Sequence, residues 1–244
     1  MKAIILAAGR GSRMNALTED HPKCLIEFRG KTLLEWQLET LKESNITEIG
    51  IVAGYKGDLI KPKDAAFKFW NERWNETNMV GSLACADEWL SKNTCVVSYS
   101  DIIYKKAAVE SLINCPAELA ITYDPNWREL WEKRFDDPLD DAETLKLKSG
   151  GVLSEIGGTP TSLSEIEGQY MGLLRISPKA WSEIKRVREN LNSERFDNIH
   201  MTDMLQLIID EGVIDIQALP YEQEWAEFDS PSDLRYFPNL DGSF

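Results

Sequence analysis

The chain has 244 residues, of which 41 are acidic and 27 are basic, so its formal net charge is −14. A hydrophobic fraction of 43% with 28% charged residues is typical of a globular protein and excludes a largely disordered one. The acidic balance argues against nucleic-acid binding, because neutralising a phosphate backbone requires a basic surface.

The first half of the chain alternates between strand-like and helix-like segments. The continuous apolar run Lys2–Ala8 ends in glycines and predicts a strand buried on both faces. Residues Thr32–Lys42 have apolar side chains at helical spacing, and Thr32 and Glu35 form the pattern of a capping box. The other elements predicted in this half are strands at Glu48–Ala53, Cys95–Ser98 and Glu118–Tyr123 and a helix at Ser82–Leu90.

The pattern changes between residues 131 and 169, which are rich in Asp, Glu, Lys, Gly, Thr and Ser. Only Thr144–Leu147 and Val152–Ile156 are strand-like there. We therefore interpret 131–169 as an insertion, or a small antiparallel excursion, that covers the active-site edge of the domain. The elements predicted after it are a strand at Tyr170–Ile176, helices at Pro178–Leu191 and Met201–Glu211, and a strand at Ile214–Leu219.

Strands that alternate with helices predict the fold class. They indicate βαβ units and hence an α/β protein with three layers, built on a doubly wound, mostly parallel sheet. The length is compatible with one large domain or two small ones. The sequence has no internal repeat and no low-complexity linker, so we assign residues 1–244 to a single domain.

Cysteine usage and apolar runs bear on the compartment. The four cysteines form no CxxC pair and only two histidines accompany them, so we expect neither a zinc site nor a disulfide framework. The run Ala3–Ala8 is too short for a signal peptide, and no later stretch approaches a membrane-spanning length. We expect a cytoplasmic protein that does not bind membranes.

A glycine-rich loop, Gly9-Arg10-Gly11, follows the first predicted strand directly. Glycines at this place let backbone amides approach a phosphate, at the edge where open α/β sheets bind ligands. The loop is not a Rossmann fingerprint, because Met14 stands where the third glycine would be, and it is not a P-loop, because no GK[ST] follows. A tight turn is the alternative, but Arg13 and Lys23 beside the loop favour a phosphate site.

The segment Leu6-Ala-Ala-Gly-Arg-Gly-Ser-Arg13, continued by Pro22-Lys23, resembles the signature loop of nucleotidyltransferases that act on sugar 1-phosphates and related phosphorylated alcohols. Within that superfamily, Asn75–Leu83 resembles the CTP:phosphocholine cytidylyltransferase-type branch of bacteria. The similarity extends through Gly168–Gly172 to Glu227–Asp233. One departure is Asn15-Ala16, where many relatives carry a proline before Leu-Thr, which changes only the stiffness of the loop.

This resemblance implies a nucleotide-diphospho-sugar transferase-like fold and an Mg²⁺-dependent reaction. CTP would be coupled to a phosphorylated amino-alcohol or aminoalkylphosphonate, with release of pyrophosphate. The partners expected are therefore CTP and a small phosphorylated or phosphonate acceptor, and the oligomeric state stays open.

The resemblance also assigns residues to the nucleotide. Lys23 would stabilise the pentacovalent α-phosphorus, and Arg13 with the glycine amides would bind the β and γ phosphates. Asn78 and Ser82 could hydrogen-bond a pyrimidine edge, although Ser82 could equally cap the helix Ser82–Leu90. The complete set expected at the nucleotide is Leu6, Ala7, Ala8, Gly9, Gly11, Ser12, Arg13, Asn78 and Ser82.

Two carboxylates are candidates for the metal. Asp101 follows a predicted buried strand, where it could hold a hard cation against phosphate oxygens or simply form a turn. Alternation places Trp225, Glu227 and Asp229 on one strand face. The family binds Mg²⁺ through an aspartate at each place, so the resemblance assigns the metal to Asp101 and Asp229 and makes Asp101, Lys23 and Arg13 the catalytic set. Glu227 could assist or hold a cationic substrate.

Aromatic side chains are candidates for the acceptor site, because aromatic faces and carboxylates bind ammonium groups. Those expected around the acceptor are Trp127, Trp131, Tyr170, Gly172, Trp225 and Glu227. The alternative is that the tryptophans are core residues.

Two rival functions stay open from the sequence. The first is a sugar-1-phosphate nucleotidyltransferase that uses UTP, dTTP or GTP. The second is a non-catalytic nucleotide-sensing module on the same fold, against which the joint presence of Arg13, Lys23, Asp101 and Asp229 argues.

Overall fold

The computed structural model of the chain describes residues 1–61 and 67–236. The strands, in chain order, are β1 (Lys2–Ala7), β2 (Glu27–Phe28), β3 (Lys31–Thr32), β4 (Ile49–Ala53), β5 (Phe67–Trp70), β6 (Cys95–Tyr99), β7 (Ile102–Tyr104), β8 (Leu119–Asp124), β9 (Leu145–Lys148), β10 (Val152–Ile156), β11 (Gln169–Ile176), β12 (Ile216–Pro220) and β13 (Trp225–Glu227). The helices are α1 (Leu33–Glu43), α2 (Met79–Ala84), α3 (Asp87–Leu90), α4 (Lys106–Asn114), α5 (Trp127–Arg134), α6 (Pro178–Glu189), α7 (Ser193–Asn198), α8 (Met201–Glu211) and α9 (Asp233–Tyr236).

One large sheet organises the molecule, with the strand order β5-β4-β1-β6-β11-β8-β12-β10-β9. Pairing is parallel from β5 to β6 and between β8 and β12, and it is antiparallel on both sides of β11 and of β10. Only these two strands run against the other seven. The α/β class and the predominance of one strand direction are confirmed, and the antiparallel β11 and β10 make the sheet mixed.

Helices cover both faces of this sheet. Strand side chains alternate between the faces, so neighbouring residues of β1 enter different apolar cores. Ile4 packs in a core with Trp181 of α6, whereas Ile5 packs in a second core with Leu38 of α1 and Leu112 of α4. This arrangement confirms the three layers.

Local sequence signals predicted the start of one helix correctly and the bounds of another wrongly. Thr32 caps α1, and the capping box with Glu35 is present in full. The predicted helix Ser82–Leu90 is wrong in its start and its continuity, since α2 begins at Met79 and a break at Cys85–Ala86 separates it from α3. Asn78 stands at the N-cap, so Ser82 lies inside α2 and does not cap it.

The region 131–169 contributes a hairpin, β9–β10, which extends the sheet beyond β12. The four cysteines are free thiols. No helix within residues 1–61 and 67–236 has the length and apolar character needed to cross a bilayer.

Candidate active site

The site forms where β1 and β6 end side by side. Leu6 of β1 pairs with Tyr99 of β6, so the glycine loop after β1 and Asp101 after β6 meet at the same edge of the sheet. Antiparallel pairing of β13 with β7 brings in a third segment, and the amide of Phe228 donates to the carbonyl of Asp101. Asp229 thereby reaches the edge that holds the loop.

Lys23 lies at the centre of this edge. Its Nζ is 2.8 Å from Oδ2 of Asp101 and 2.7 Å from Oδ1 of Asp229. Arg13 donates from Nη2 to the same Asp229 oxygen at 2.9 Å. Burial by itself would favour the neutral amine, but the two carboxylates raise the pKa of Lys23 well above its usual value. Lys23 is therefore a charged ammonium.

The neighbouring cations stabilise the charged form of Asp229. Burial opposes the charged form of Asp229, yet Lys23 and then Arg13 lower the pKa of this carboxyl below its usual value.

Gly11 permits the close approach of the loop to Lys23. It has φ +68°, and a Cβ there would come within 2.9 Å of the Lys23 side chain.

A cavity of about 260 Å³ opens over the glycine loop. Of the residues expected at the nucleotide, all except Ala7 line it; the set is Leu6, Ala8, Gly9, Gly11, Ser12, Arg13, Asn78 and Ser82. Ala7 does not line the cavity, because alternation along β1 turns its side chain into the core on the opposite face. Trp74 and Thr77 also line the cavity and were missed, although Trp74 precedes the Asn75–Leu83 segment directly and Thr77 belongs to it.

Asn78 and Ser82 are held in place by neighbours. The Asn78 amide lies 2.9 Å from Nε2 of His200, and its Nδ2 is 3.3 Å from the carbonyl oxygen of Asn198. Ser82 Oγ accepts a hydrogen bond from Asn71 Nδ2 at 2.9 Å. Both residues therefore form a fixed wall of the cavity, and His200 is the N-cap residue of α8.

A second cavity, of about 290 Å³, adjoins the first and shares with it Arg13, Met79, Tyr99, Asp101 and Asp229. Of the residues expected at the acceptor, Trp131, Tyr170, Gly172 and Glu227 line this cavity. The cavity is predominantly acidic. Its lining includes five carboxylate side chains, which are Asp101, Asp141, Glu143, Glu227 and Asp229. The basic side chains in the lining are Arg13 and His200.

Two tryptophans do not line the cavity, contrary to expectation. Trp127 packs edge-on against Trp131 in the core, with ring centroids 6.1 Å apart. Trp225 lies behind Trp131 and donates from Nε1 to Oδ2 of Asp124 at 2.9 Å. Neither indole ring is among the residues that line the cavity, whereas Trp131 lines it although it is equally buried.

Asp141 and Glu143 are functional candidates that the sequence reasoning missed. They belong to the 131–169 region and reach the second cavity from it. Burial raises the pKa of both carboxyls, with repulsion from Asp203 adding to the effect at Glu143. Nothing in the sequence distinguishes these two acids from the many others in the same region.

Arg134, at the end of α5, is a further residue that sequence reasoning missed. Its side chain is 1% exposed and makes 3.0 Å contacts with Glu227 and with Asp233. Glu227 is thus already paired with a cation, although burial raises the pKa of its carboxyl. This pairing limits the role expected for Glu227 as the partner of a substrate cation.

Asp101 and Asp229 have the chemistry of a magnesium site. Their oxygens are hard donors, and Oδ1 of Asp101 is buried without a hydrogen-bond partner among the described residues. No third His, Cys, Asp or Glu in the described part of the chain completes a metal site made of protein alone. Because Mg²⁺ is usually held by one or two carboxylates together with substrate phosphates, two are enough.

The sequence is similar to those of known nucleotidyltransferases. Residues 3–190 match the family described as the MobA-like NTP transferase domain. The chain is 39% identical to the CTP:phosphoglutamine cytidylyltransferase of Campylobacter jejuni over 96% of this chain and 98% of that one. It is 38% identical to the choline-phosphate cytidylyltransferase of Streptococcus pneumoniae over 43% of this chain and 47% of that one.

A solved structure shares the fold. The inositol-1-phosphate CTP transferase from T. maritima superimposes with a TM-score of 0.74 at 19% identity, covering 95% of this chain and 90% of that one.

Proposed function

The chain belongs to the MobA-like NTP transferase family, and from that premise we propose that it is a cytidylyltransferase that couples CTP to a small phosphorylated acceptor and releases pyrophosphate. One observation carries the proposal. Two cavities share Asp101 and Asp229, whereas the glycine loop and Lys23 line only the first of them. Such a pair of cavities suits a nucleotide on one side and an acceptor on the other.

The chemistry that this arrangement supports is an in-line displacement. An oxygen of the acceptor phosphate forms a bond to the α-phosphorus of CTP, and the bond from the α-phosphorus to the bridging oxygen of the β-phosphate breaks. Pyrophosphate leaves with the electron pair. The protein then has to position two anions and offset their charge, which needs no covalent intermediate.

Lys23 and Arg13 have the positions for this task. The Lys23 ammonium lines the nucleotide cavity and contacts Asp101 and Asp229, which line both cavities, so it lies beside their junction and can stabilise the negative charge that accumulates around the α-phosphorus. Arg13 is accessible at the same junction and suits the phosphates that leave. The amides of the Gly9–Gly11 loop complete the binding of the triphosphate.

Magnesium fits the same site. Lys23 and Arg13 are both already paired with carboxylates, so a triphosphate brings negative charge that the protein alone does not neutralise. We expect Asp101 and Asp229 to hold Mg²⁺, which supplies this neutralisation when it is bound.

The acceptor is proposed to carry a nitrogen-containing end. Five carboxylate side chains line the second cavity, and Trp131 and Tyr170 supply aromatic surface, which favours an ammonium or amide group over an anion. The acceptors named for the two cytidylyltransferase relatives, phosphoglutamine and choline phosphate, share this feature. A sugar 1-phosphate is the second candidate, because carboxylates also accept hydrogen bonds from hydroxyl groups.

Pyrophosphate release tests the proposal. Purified protein with Mg²⁺ is given CTP, UTP, dTTP or GTP, each with phosphocholine, phosphoethanolamine, 2-aminoethylphosphonate, phosphoglutamine or glucose 1-phosphate. We expect the highest kcat/KM with CTP and one of the nitrogen-containing acceptors. Faster turnover with a sugar phosphate would favour the second candidate, and the absence of release with every pair would favour a nucleotide-sensing module.

A further inference from the structure

A buried arginine lies beneath the carboxylate cluster. Arg134 ends α5, its side chain is 1% exposed, and its guanidinium is not part of the nucleotide cavity. A buried charge is costly unless it is paired and hydrogen-bonded. Arg134 meets that condition by donating from Nη1 to Glu227 Oε2 and from Nε to Asp233 Oδ1, both at 3.0 Å.

These two partners flank Asp229 in the chain. Glu227 lies at the end of β13, two residues before Asp229, and Asp233 begins α9, four residues after it. The second oxygen of Asp233 accepts the backbone amide of Asp229 at 2.9 Å and that of Ser230 at 2.7 Å. One guanidinium therefore ties down both ends of the segment that carries Asp229.

The guanidinium also faces the Asp229 carboxylate itself. Oδ1 of Asp229 is taken by Lys23 and Arg13, whereas Oδ2 lies 3.9 Å from Nη2 of Arg134. This Nη2 is buried and has no hydrogen-bond partner among the described residues. The carboxylate is thus enclosed by cations on both sides, which limits its rotation.

Trp131 links the same support to the second cavity. It lies one turn before Arg134 on α5, lines the cavity, and its ring is 5.1 Å from the Arg134 guanidinium carbon. The helix that forms a wall of the acceptor cavity is therefore the helix that supports Asp229.

From these contacts we propose that Arg134 is a positioning residue that holds the Asp229 carboxylate in the orientation needed to bind a divalent cation together with the nucleotide. The inference rests on the proposed function, in which Asp229 is a metal ligand. Lysine cannot replace arginine here, because a single ammonium lacks the planar fork that reaches Glu227 and Asp233 at once. Loss of a residue that orients a metal ligand typically costs about 10–100-fold in metal affinity or activity.

Arg134→Lys and Arg134→Gln test the proposal, with Arg128→Lys and Arg128→Gln as matched controls. Arg128 lies on the same helix, is exposed, and pairs only with Glu132 among its described neighbours. We expect the Arg134 variants to raise the Mg²⁺ concentration that gives half-maximal pyrophosphate release by about tenfold and to lower kcat by about 10–100-fold, with the KM for CTP changed less than about threefold. The Arg128 variants should match the wild type.

Mn²⁺ binding gives a readout that does not depend on turnover. Loss of the electron paramagnetic resonance signal of free Mn²⁺, titrated with protein and CTP, should show about tenfold weaker binding in the Arg134 variants. Weakened Mn²⁺ binding without pyrophosphate release from the wild type would support Arg134 and refute the proposed reaction. An unchanged Mn²⁺ affinity and Mg²⁺ midpoint in a folded Arg134 variant, with only the stability reduced, would refute the positioning role.

If both Arg134 variants fail to fold, Asp233→Asn breaks the same support from its other end. This variant should show the same shifts in Mn²⁺ affinity and Mg²⁺ midpoint. An unchanged Mn²⁺ affinity in it would overturn the proposal.

Discussion

Replacing Lys23 with methionine should destabilise the protein in a way that depends on divalent cations. Oδ2 of Asp101 and Oδ1 of Asp229 both lie within 2.8 Å of the Lys23 nitrogen, so they are at most about 5.5 Å apart. Two unit charges at about 5.5 Å repel by about 3 kcal/mol at an effective dielectric constant of about 20. We expect the free energy of unfolding of Lys23→Met to fall by about this amount near pH 8 without metal.

The pH dependence of this loss follows from the same repulsion. With Lys23 absent, the repulsion requires that both carboxylates carry their negative charge, so it is present near pH 8 and disappears toward acidic pH. The deficit of Lys23→Met relative to the wild type should therefore shrink toward acidic pH. Mg²⁺ should raise the stability of the variant more than that of the wild type, because the metal can take over part of the neutralisation.

Activity should fall for a separate reason. Removing one group that stabilises transition-state charge typically lowers kcat by about 10²–10³-fold. We expect a fall of this size for Lys23→Met, with a much smaller change in the KM for CTP, because the charge of Lys23 matters most in the transition state.

Urea denaturation at several pH values, with and without Mg²⁺, and steady-state pyrophosphate release measure the two effects. Lys92→Met is the matched control, since Lys92 is exposed and pairs with Glu88 on the surface. Equal losses in kcat and in CTP affinity would mean that Lys23 only clamps phosphates. A stability that is unchanged and insensitive to Mg²⁺ would refute the repulsion between Asp101 and Asp229.

Five further substitutions test separate parts of the site. Asp101→Asn should abolish most pyrophosphate release without unfolding the protein, and retention of activity across an Mg²⁺ titration would place the metal elsewhere. Gly11→Ala should lower the free energy of unfolding by about 1–2 kcal/mol, because Gly11 has a positive φ. A Cβ at Gly9 would meet nothing within 4 Å, so Gly9→Ala should leave the stability unchanged and raise the KM for CTP. Trp131→Leu should raise the acceptor KM by about 2–30-fold, whereas Trp127→Ala should cost about 3–5 kcal/mol of stability with the acceptor KM unchanged. Equal effects of the two tryptophan changes on the acceptor KM would contradict the separation of cavity wall from core.

The sequence determined the features that depend on neighbouring residues. The capping box of Thr32 and Glu35 set the start of α1, because its hydrogen bonds span only three residues. The apolar run before the glycine loop identified β1, and the order of strands and helices gave the α/β class. Lys23 and Asp101 could be named as candidates because the first follows a recognisable loop and the second follows a buried strand.

Other features were decided only by the tertiary structure. Lys23 and Asp229 are 206 residues apart in the chain, and their 2.7 Å contact exists because β13 pairs with β7 next to the end of β6. A tryptophan in a core and one in a ligand site look the same in the sequence, so only the tertiary structure shows that Trp131 lines the second cavity and that Trp127 and Trp225 do not.

Arg134 shows the same limit for charges. Its position at the end of a short charged helix resembles that of an ordinary surface residue, yet the fold buries it between Glu227 and Asp233. Helical spacing specifies which face a residue occupies, but not which distant segment packs on that face. Local hydrogen bonds and periodicity depend on residues that are close in the sequence. Burial and the pairing of distant charges depend on how the whole sheet packs against its helices.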